Sequence, residues 1–262
     1  MAKRAAVWIT SLACAALAVA IPVSSASAPT ADQLVVWAWE RPEDLRFLPS
    51  EVEIAALSGF VELRGEQLFT RGRRFPLKAR PGQVQTSVVH VQVSRTTPMR
   101  WTPALRARTS AAVLTLFQHI PAQRLQIDFE VKSSERQALL DLMADVKRAL
   151  PPGVALSMTA IAAWCQTETW IGTIEADEVA PMLFRMGAKG AAIRERLAQG
   201  EDFTQNSCRK ALAISVDAPL MRAPTGRRMY LFDPRSWTAR DFEQARGEIE
   251  GWHATNGVGR SP

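Results

Sequence analysis

Two carboxylates stand two residues apart at the end of an alternating segment of the chain. In Leu125–Glu130 apolar and polar residues alternate, and Asp128 and Glu130 are the last two polar positions. Side chains of a β-strand point to its two faces in turn, so both carboxyl groups share one face, roughly 6–7 Å apart along the strand. Glycosidic bonds are hydrolysed by two carboxyl groups, one acting as the acid. The pattern predicts Glu130 as the acid and Asp128 as its catalytic partner.

Other polar and aromatic residues follow the ends of neighbouring predicted strands. Arg185 ends one of them and is placed to keep a carboxylate ionised or to contact a substrate. Tryptophan rings can stack on the apolar faces of sugars, and Glu168, between two tryptophans, is a second candidate acid. Packing in the core is the alternative interpretation of these tryptophans. The predicted substrate-binding residues are Glu40, Trp164, Glu168, Trp170, Arg185, Asp217 and Trp237.

Eight short apolar segments, separated mostly by helical patterns, would have to position these residues. The predicted strands are Leu34–Trp39, Phe60–Leu63, Ser87–Ser94, Leu125–Glu130, Val154–Ala160, Ala180–Arg185, Leu212–Asp217 and Met229–Asp233. Helices are predicted over about 104–119, 188–199 and 238–251, and capping-box patterns occur at Ser50/Glu53, Ser134/Gln137 and Thr238/Asp241. This alternation predicts an α/β fold, a (β/α)8 barrel of the triosephosphate-isomerase type, whose catalytic groups lie at the C-terminal ends of the strands.

Two features qualify the predicted barrel. Residues 64–86 lack a helical period and contain several glycines and prolines, which predicts a β-hairpin excursion that distorts the barrel after its second strand. An antiparallel sheet with one solvated face would produce the same alternation within strands, and it is the alternative to a parallel barrel. His90 faces the predicted lumen and is interpreted as a hydrogen-bonded structural residue.

The N-terminus has the three parts of a secretory signal peptide. Lys3 and Arg4 precede an apolar run, and small residues follow up to Ala28. Residues 1–28 are therefore predicted to be cleaved, leaving one domain over 29–262 in the periplasm or outside the cell; a retained membrane anchor is the alternative. No later segment is long and apolar enough to predict a stable membrane span.

Composition argues against several other classes of protein. The net charge is +6, but charges of both signs are mixed and no basic face is interleaved with aromatic residues, so no nucleic-acid partner is expected. Three histidines without metal-ligand spacing, and no phosphate-binding glycine loop, predict neither a metal nor a cofactor. A disulfide between Cys165 and Cys208 is possible in an exported protein. The two cysteines are predicted at opposite ends of the barrel, however, so the sequence does not decide whether the bond forms. The oligomeric state is open as well.

Several short motifs carry a resemblance to known families. They are Gln126–Glu130, Ser134–Arg136, Leu156–Thr159, Trp164–Cys165, Pro181–Gly187 and Cys208–Arg209. Together they resemble an uncharacterised family of exported bacterial proteins, a domain of unknown function, over roughly residues 33–237. This resemblance implies a bacterial source and a barrel-like fold. The Asp-x-Glu pair is also similar to the acid pairs of chitinase-type and muramidase-type barrel glycosidases, although Gln126 stands where the chitinase pattern has an aspartate.

These observations predict a function and a rival to it. We expect an exported, glycoside-hydrolase-like protein that acts on a bacterial envelope or extracellular polysaccharide by carboxylate acid/base chemistry. The alternative is a non-catalytic carbohydrate-binding or envelope accessory protein on a degenerate barrel. The enzyme requires Glu130 to open onto a cleft near a second carboxylate, whereas a buried salt bridge between Glu130 and Arg185 would favour the accessory protein.

Overall fold

The computed structural model describes residues 32–258, so the predicted signal peptide lies outside the described residues. The strands are β1 (Gln33–Ala38), β2 (Glu43–Asp44), β3 (Glu53–Arg64), β4 (Gln67–Gly72), β5 (Leu77–Lys78), β6 (Val84–Val93), β7 (Arg124–Asp128), β8 (Ala155–Ile161), β9 (Glu178–Met182), β10 (Ala211–Ser215) and β11 (Arg228–Phe232). The α-helices are α1 (Pro103–His119), α2 (Arg136–Ala149), α3 (Ala162–Thr167), α4 (Gly190–Ala198) and α5 (Ala239–Val258). Within this range, none of the helices has the length and apolar character needed to cross a membrane.

Eight of these strands close into a parallel barrel. Around the barrel the order is β1, β3, β6, β7, β8, β9, β10 and β11, and β11 pairs again with β1. All eight correspond to the predicted strands, and helices follow β6, β7, β8, β9 and β11. The chain therefore has the predicted TIM-type α/β fold. Parallel pairing excludes the antiparallel alternative.

Two helices begin at a threonine cap, and α5 continues to Val258, beyond the predicted end at residue 251. Thr102 caps α1, because its hydroxyl accepts a hydrogen bond from the backbone N–H of Leu105 at 3.2 Å. Thr238 likewise accepts one from the N–H of Asp241 at 3.2 Å, at the start of α5. At the start of α2 the capping contact lies earlier than predicted, since the carboxylate of Glu135 accepts from the N–H of Lys132.

The helix predicted from the Ser50/Glu53 pattern does not form. Glu53 instead begins β3, and its carboxylate turns into the barrel to pair with Arg228. The following residues, from Ile54 to Leu57, are buried on both faces of the strand. A segment that must be buried on both sides suits a central barrel strand better than a surface helix.

The predicted hairpin excursion after the second barrel strand is present. The first half of β3 pairs with β1, whereas its second half pairs with the antiparallel strand β4. The change of partner occurs at a β-bulge near Gly59, where a Cβ atom would lie 2.5 Å from the carbonyl oxygen of Arg71. Only glycine allows the backbones to approach this closely. The hairpin thus replaces the helix that would otherwise follow β3.

Side chains inside the barrel form a closed floor at the N-terminal ends of the strands. Glu178 accepts hydrogen bonds from the hydroxyls of Tyr230 at 2.7 Å and Ser157 at 2.9 Å. Arg228 pairs with both Glu178 and Glu53. Above them Trp37 and Tyr230 stack, with ring centroids 5.2 Å apart. These polar and aromatic layers fill the lower barrel and leave open only the opposite end, which we call the mouth.

Cys165 and Cys208 form a disulfide, a question that the sequence did not decide. Cys165 in α3 and Cys208 are bonded, with Cα atoms 5.8 Å apart. The backbone N–H of Gln205 also donates to the carbonyl of Cys165 at 3.3 Å, so the segment before β10 lies against α3. Helix α3 runs back along the barrel from the mouth. It thereby brings Cys165 close to Cys208, which lies shortly before β10.

Candidate functional site

A cavity of about 260 Å³ opens at the mouth of the barrel. Barrel enzymes use this end of the fold for catalysis. Aromatic rings form much of its wall, and Phe184 and Phe232 stack with centroids 5.3 Å apart. The lining residues are Trp37, Trp39, Phe60, Val88, His90, Asp128, Glu130, Thr159, Met182, Phe184, Arg185 and Phe232.

Asp128 lies at the bottom of this cavity and is held by two donors. It is the last residue of β7, and its inward orientation follows from the predicted alternation. Its Oδ2 lies 2.7 Å from Nδ1 of His90, and its Oδ1 accepts a hydrogen bond from the Thr159 hydroxyl at 2.6 Å. Burial opposes ionisation, but the hydrogen bonds and charge of these neighbours hold the pKa of Asp128 below its ordinary value. The carboxylate is therefore charged.

His90 completes an ion pair with this carboxylate. Its ring packs edge-on between Trp39 and Phe60, at centroid distances of 5.7 and 5.5 Å. Burial disfavours the imidazolium, but Asp128, followed by Gln92 and Glu130, raises the pKa of His90 above its usual value. The structural hydrogen bond expected of this histidine exists, and it also fixes the charge of a predicted catalytic residue.

Glu130 differs from Asp128 in having no partner. It lies two residues beyond Asp128, where the chain leaves β7, and its side chain is exposed to the cavity. Among residues 32–258 no group forms a hydrogen bond or an ion pair with its carboxyl group. Partial desolvation and the nearby charge of Asp128 raise the pKa of Glu130, against the opposing influence of His90 and Arg185. The salt bridge to Arg185 that would have favoured an accessory protein is absent from this part of the chain.

Arg185 occupies a strained position at the edge of the cavity. With φ of 52°, it is the one non-glycine residue in the described range with a positive φ. Such a conformation costs about 1–3 kcal/mol, and residues that adopt it cluster at functional sites. The guanidinium group lies 5.9 Å from the centre of the Phe232 ring and forms no ion pair with any described residue.

A larger open groove of about 790 Å³ continues from the cavity across the mouth. His90, Glu130 and Arg185 line both spaces, so they stand at the junction. The groove also contains the basic residues Arg95 and Lys132. The combination of a small aromatic pocket and a long groove could accommodate one unit of a polymer with its neighbours lying across the mouth.

Two of the predicted acids lie away from the cavity. Glu40 is on the opposite face of the chain from Trp39, where it pairs with Arg71 and accepts from the N–H of Arg74 at 2.9 Å. These contacts of Glu40 therefore attach the β3–β4 hairpin to the chain just after β1. Asp217 lies beyond the end of β10, exposed, and accepts a hydrogen bond from Ser215.

The three predicted tryptophans and Glu168 also lie elsewhere. Trp164 and Trp170 contact each other at a centroid distance of 5.1 Å outside the barrel, and Glu168 pairs there with Arg136 at 2.9 Å. Trp237 is buried and donates from its indole N–H to a backbone carbonyl of β1 at 3.0 Å. These residues pack loops and helices against the barrel wall, which was the alternative interpretation of the tryptophans.

Sequence reasoning missed the aromatic residues that do line the cavity. Trp39, Phe60, Phe184 and Phe232 come from four different strands or the turns after them. The signal that could have found two of them is their spacing along the strand, because residues two apart share a face. Trp39 lies two residues after the inward-facing Trp37, and Phe184 lies two residues after Met182. The spacing also indicates that Thr159 shares a face with Ser157, and Thr159 lines the cavity.

In residues 32–258 no group of three or more His, Cys, Asp or Glu side chains could hold a metal ion. No family model, curated protein or solved structure matches the chain. The cavity itself is therefore the feature of the described residues that bears on function.

Proposed function

We propose that this chain is an exported, glycoside-hydrolase-like protein that acts on a bacterial envelope or extracellular polysaccharide, with Glu130 as the general acid. The observation that carries the proposal is the unpaired carboxyl group of Glu130, with its raised pKa, in an aromatic-lined cavity at the barrel mouth. General acids in glycosidases are carboxyl groups whose pKa has been raised by their surroundings.

The two carboxyl groups of the cavity have pKa values displaced in opposite directions. Glu130 is displaced upward and Asp128 downward, which is how a protein assigns one carboxyl group to proton donation and keeps the other charged. After Glu130 gives its proton to the leaving oxygen, the positive charges of His90 and Arg185 stabilise the carboxylate that remains. A water molecule then bonds to the anomeric carbon and returns a proton to Glu130, which completes the hydrolysis.

Asp128 would act through its fixed negative charge. The transition state of glycoside hydrolysis resembles an oxocarbenium ion, and a carboxylate held beside it lowers its energy. Hydrogen bonds from His90 and Thr159 orient Asp128 before the substrate arrives, so little reorganisation is needed during the reaction. The rings of Trp39 and Phe232 offer apolar surfaces for the faces of a sugar.

One observation favours the second candidate, a non-catalytic carbohydrate-binding or envelope accessory protein. Both carboxylate oxygens of Asp128 are already hydrogen-bonded, and Asp128 and Glu130 are the only acids among the residues that line the cavity. These hydrogen bonds stabilise the charged form of Asp128 and so make it a weaker nucleophile or base. Binding without hydrolysis does not require that reactivity.

The test is a hydrolysis screen of purified residues 29–262 on peptidoglycan and a panel of bacterial polysaccharides. Glu130→Gln and Asp128→Asn are compared with Glu168→Gln, a control that removes a carboxylate outside the cavity. We expect Glu130→Gln to abolish activity with unchanged folding and Glu168→Gln to keep it. Activity that survives in Glu130→Gln would refute the assignment of the acid. Binding without hydrolysis in every sample would favour the accessory protein.

A further inference from the structure

We infer, on the basis of the proposed function, that the polysaccharide is a uronate: Arg185 binds a sugar carboxylate at the junction of cavity and groove. Three features of the described residues support a site for a carboxylate: the unpaired cations of the groove, the contacts of its acids and the position of Arg185 relative to Glu130.

Three basic side chains line the groove without forming an ion pair in the described range, namely Arg95, Lys132 and Arg185. Two arginines elsewhere in the barrel domain are neutralised by acids: Arg106 pairs with two aspartates and Arg228 with two glutamates. Unpaired cations that converge on one concavity attract an anionic ligand.

The carboxylates of the groove leave this charge largely uncompensated. Glu62 is held by both nitrogens of the Arg64 fork, at 2.8 and 2.7 Å. Glu135 accepts a hydrogen bond from the backbone N–H of Lys132 at 2.9 Å. Glu130 is the third acid lining the groove, and in the proposed reaction it carries the proton. An incoming carboxylate therefore meets three cations and one uncompensated carboxylate, that of Glu135, because Glu62 is neutralised by Arg64.

Arg185 is the residue best placed to recognise such a group. Its guanidinium presents a planar fork of donors that matches a carboxylate with two parallel hydrogen bonds, and a neutral sugar cannot accept in this way. The left-handed backbone and the Phe232 ring locate the guanidinium beside the pocket that contains Glu130. A sugar whose ring enters the aromatic pocket can thus reach Arg185 with an acidic substituent.

The experiment measures binding with matched ligands by calorimetry. Glu130→Gln protein is used so that no ligand is hydrolysed during the titration. Each pair differs in the sugar carboxylate: β-1,4-linked oligoglucuronate against cello-oligosaccharide of equal length, and oligogalacturonate against its carboxyl-reduced form. In at least one pair we expect the uronate to bind about tenfold to hundredfold more tightly, as a charge-assisted bidentate contact would provide.

Variants at the binding residue complete the test. Arg185→Gly removes the guanidinium and suits the positive φ, so the protein should fold normally and lose the preference for the uronate. Arg148→Gln, which removes an exposed arginine at the far end of α2, should keep the preference. A uronate preference that survives in Arg185→Gly, equal binding of both members, or no binding of any pair would overturn the inference.

The proposed function fails in a different way. If wild-type protein hydrolyses none of the polysaccharides but its uronate preference disappears with Arg185, the binding site stands and the glycosidase is refuted. If wild-type protein hydrolyses a neutral polysaccharide through Glu130 and shows no uronate preference, the enzyme stands and the uronate site is refuted.

Discussion

Replacing His90 by phenylalanine should destabilise the protein in a pH-dependent manner. Phenylalanine keeps an aromatic ring between Trp39 and Phe60 but removes the charge and the hydrogen bond that Asp128 receives. Removing one partner of a buried ion pair costs about 3–5 kcal/mol because the remaining charge stays buried. His90 and Asp128 retain 22% and 12% side-chain exposure, so we expect the lower end, about 3 kcal/mol.

The pH dependence follows from the two shifted pKa values. The pKa of His90 is raised, so its stabilising contribution is complete below its ordinary value of 6.5 and is lost as the pH rises through the folded value. The pKa of Asp128 is lowered, so its contribution is complete above 3.8 and is lost as the pH falls through the folded value. The difference in stability between wild type and His90→Phe should be largest between these two pH values.

Urea unfolding at a series of pH values measures this difference directly. The double variant His90→Phe/Asp128→Asn serves as the control, because it removes the unpaired charge and should recover most of the lost free energy. A difference between wild type and His90→Phe that stays constant from about pH 4 to pH 9 would refute the ion pair. If the double variant does not recover stability, the free energy lost in His90→Phe comes from altered packing and not from the unpaired charge of Asp128.

Three further changes test the architecture. Replacing Cys165 and Cys208 by serine opens a loop spanning 43 residues and should lower the free energy of unfolding by about 4 kcal/mol in urea titrations; an unchanged value would mean that the bridge is dispensable. Gly59→Ala forces a Cβ against the hairpin and should cost about 1–3 kcal/mol in thermal unfolding, whereas Gly251→Ala, on an open face of α5, should not destabilise; similar effects would contradict the close approach. Arg228→Met leaves Glu53 of the barrel floor without a guanidinium and Glu178 with only the longer contact to Arg124, at 3.6 Å, and should cost about 3 kcal/mol, while uronate binding at the opposite end stays unchanged; a loss of binding affinity in the folded variant would show that the floor and the site are coupled.

The fold could be predicted from local patterns, and the reason is periodicity. Each barrel strand faces helices or covering segments on one side and the lumen on the other, so alternation identified the strands and, in β6, β7 and β8, their inward-facing residues. Asp128 and Glu130 were found in this way. In β1 alternation did not identify the inward-facing residues, because Glu40, a predicted substrate-binding residue, lies on the face opposite the cavity-lining Trp39. The Ser50/Glu53 pattern failed because a capping motif is short, and burial of the following residues outweighed it.

The rest of the site depends on relationships that local patterns do not contain. Phe60 and Phe232 reach the same cavity as Asp128 because of the register between distant strands, which is set only when the barrel closes. Trp164 followed a predicted strand, as a ligand-binding residue would, but α3 turns back and buries it. The same reversal of the chain at α3 brings Cys165 to Cys208, so the disulfide could not be predicted from local patterns either.

The closed floor of the barrel has a kinetic consequence. Ion pairs and stacked rings block the N-terminal end, so a ligand that enters the cavity can leave only by the way it came. A volume of about 260 Å³ is below the range of about 300–1,000 Å³ of pockets that enclose a drug-sized molecule, so it admits only a small part of a polymer. Product and substrate would then compete for one opening. An enzyme built on this barrel should therefore show competitive inhibition by its own product.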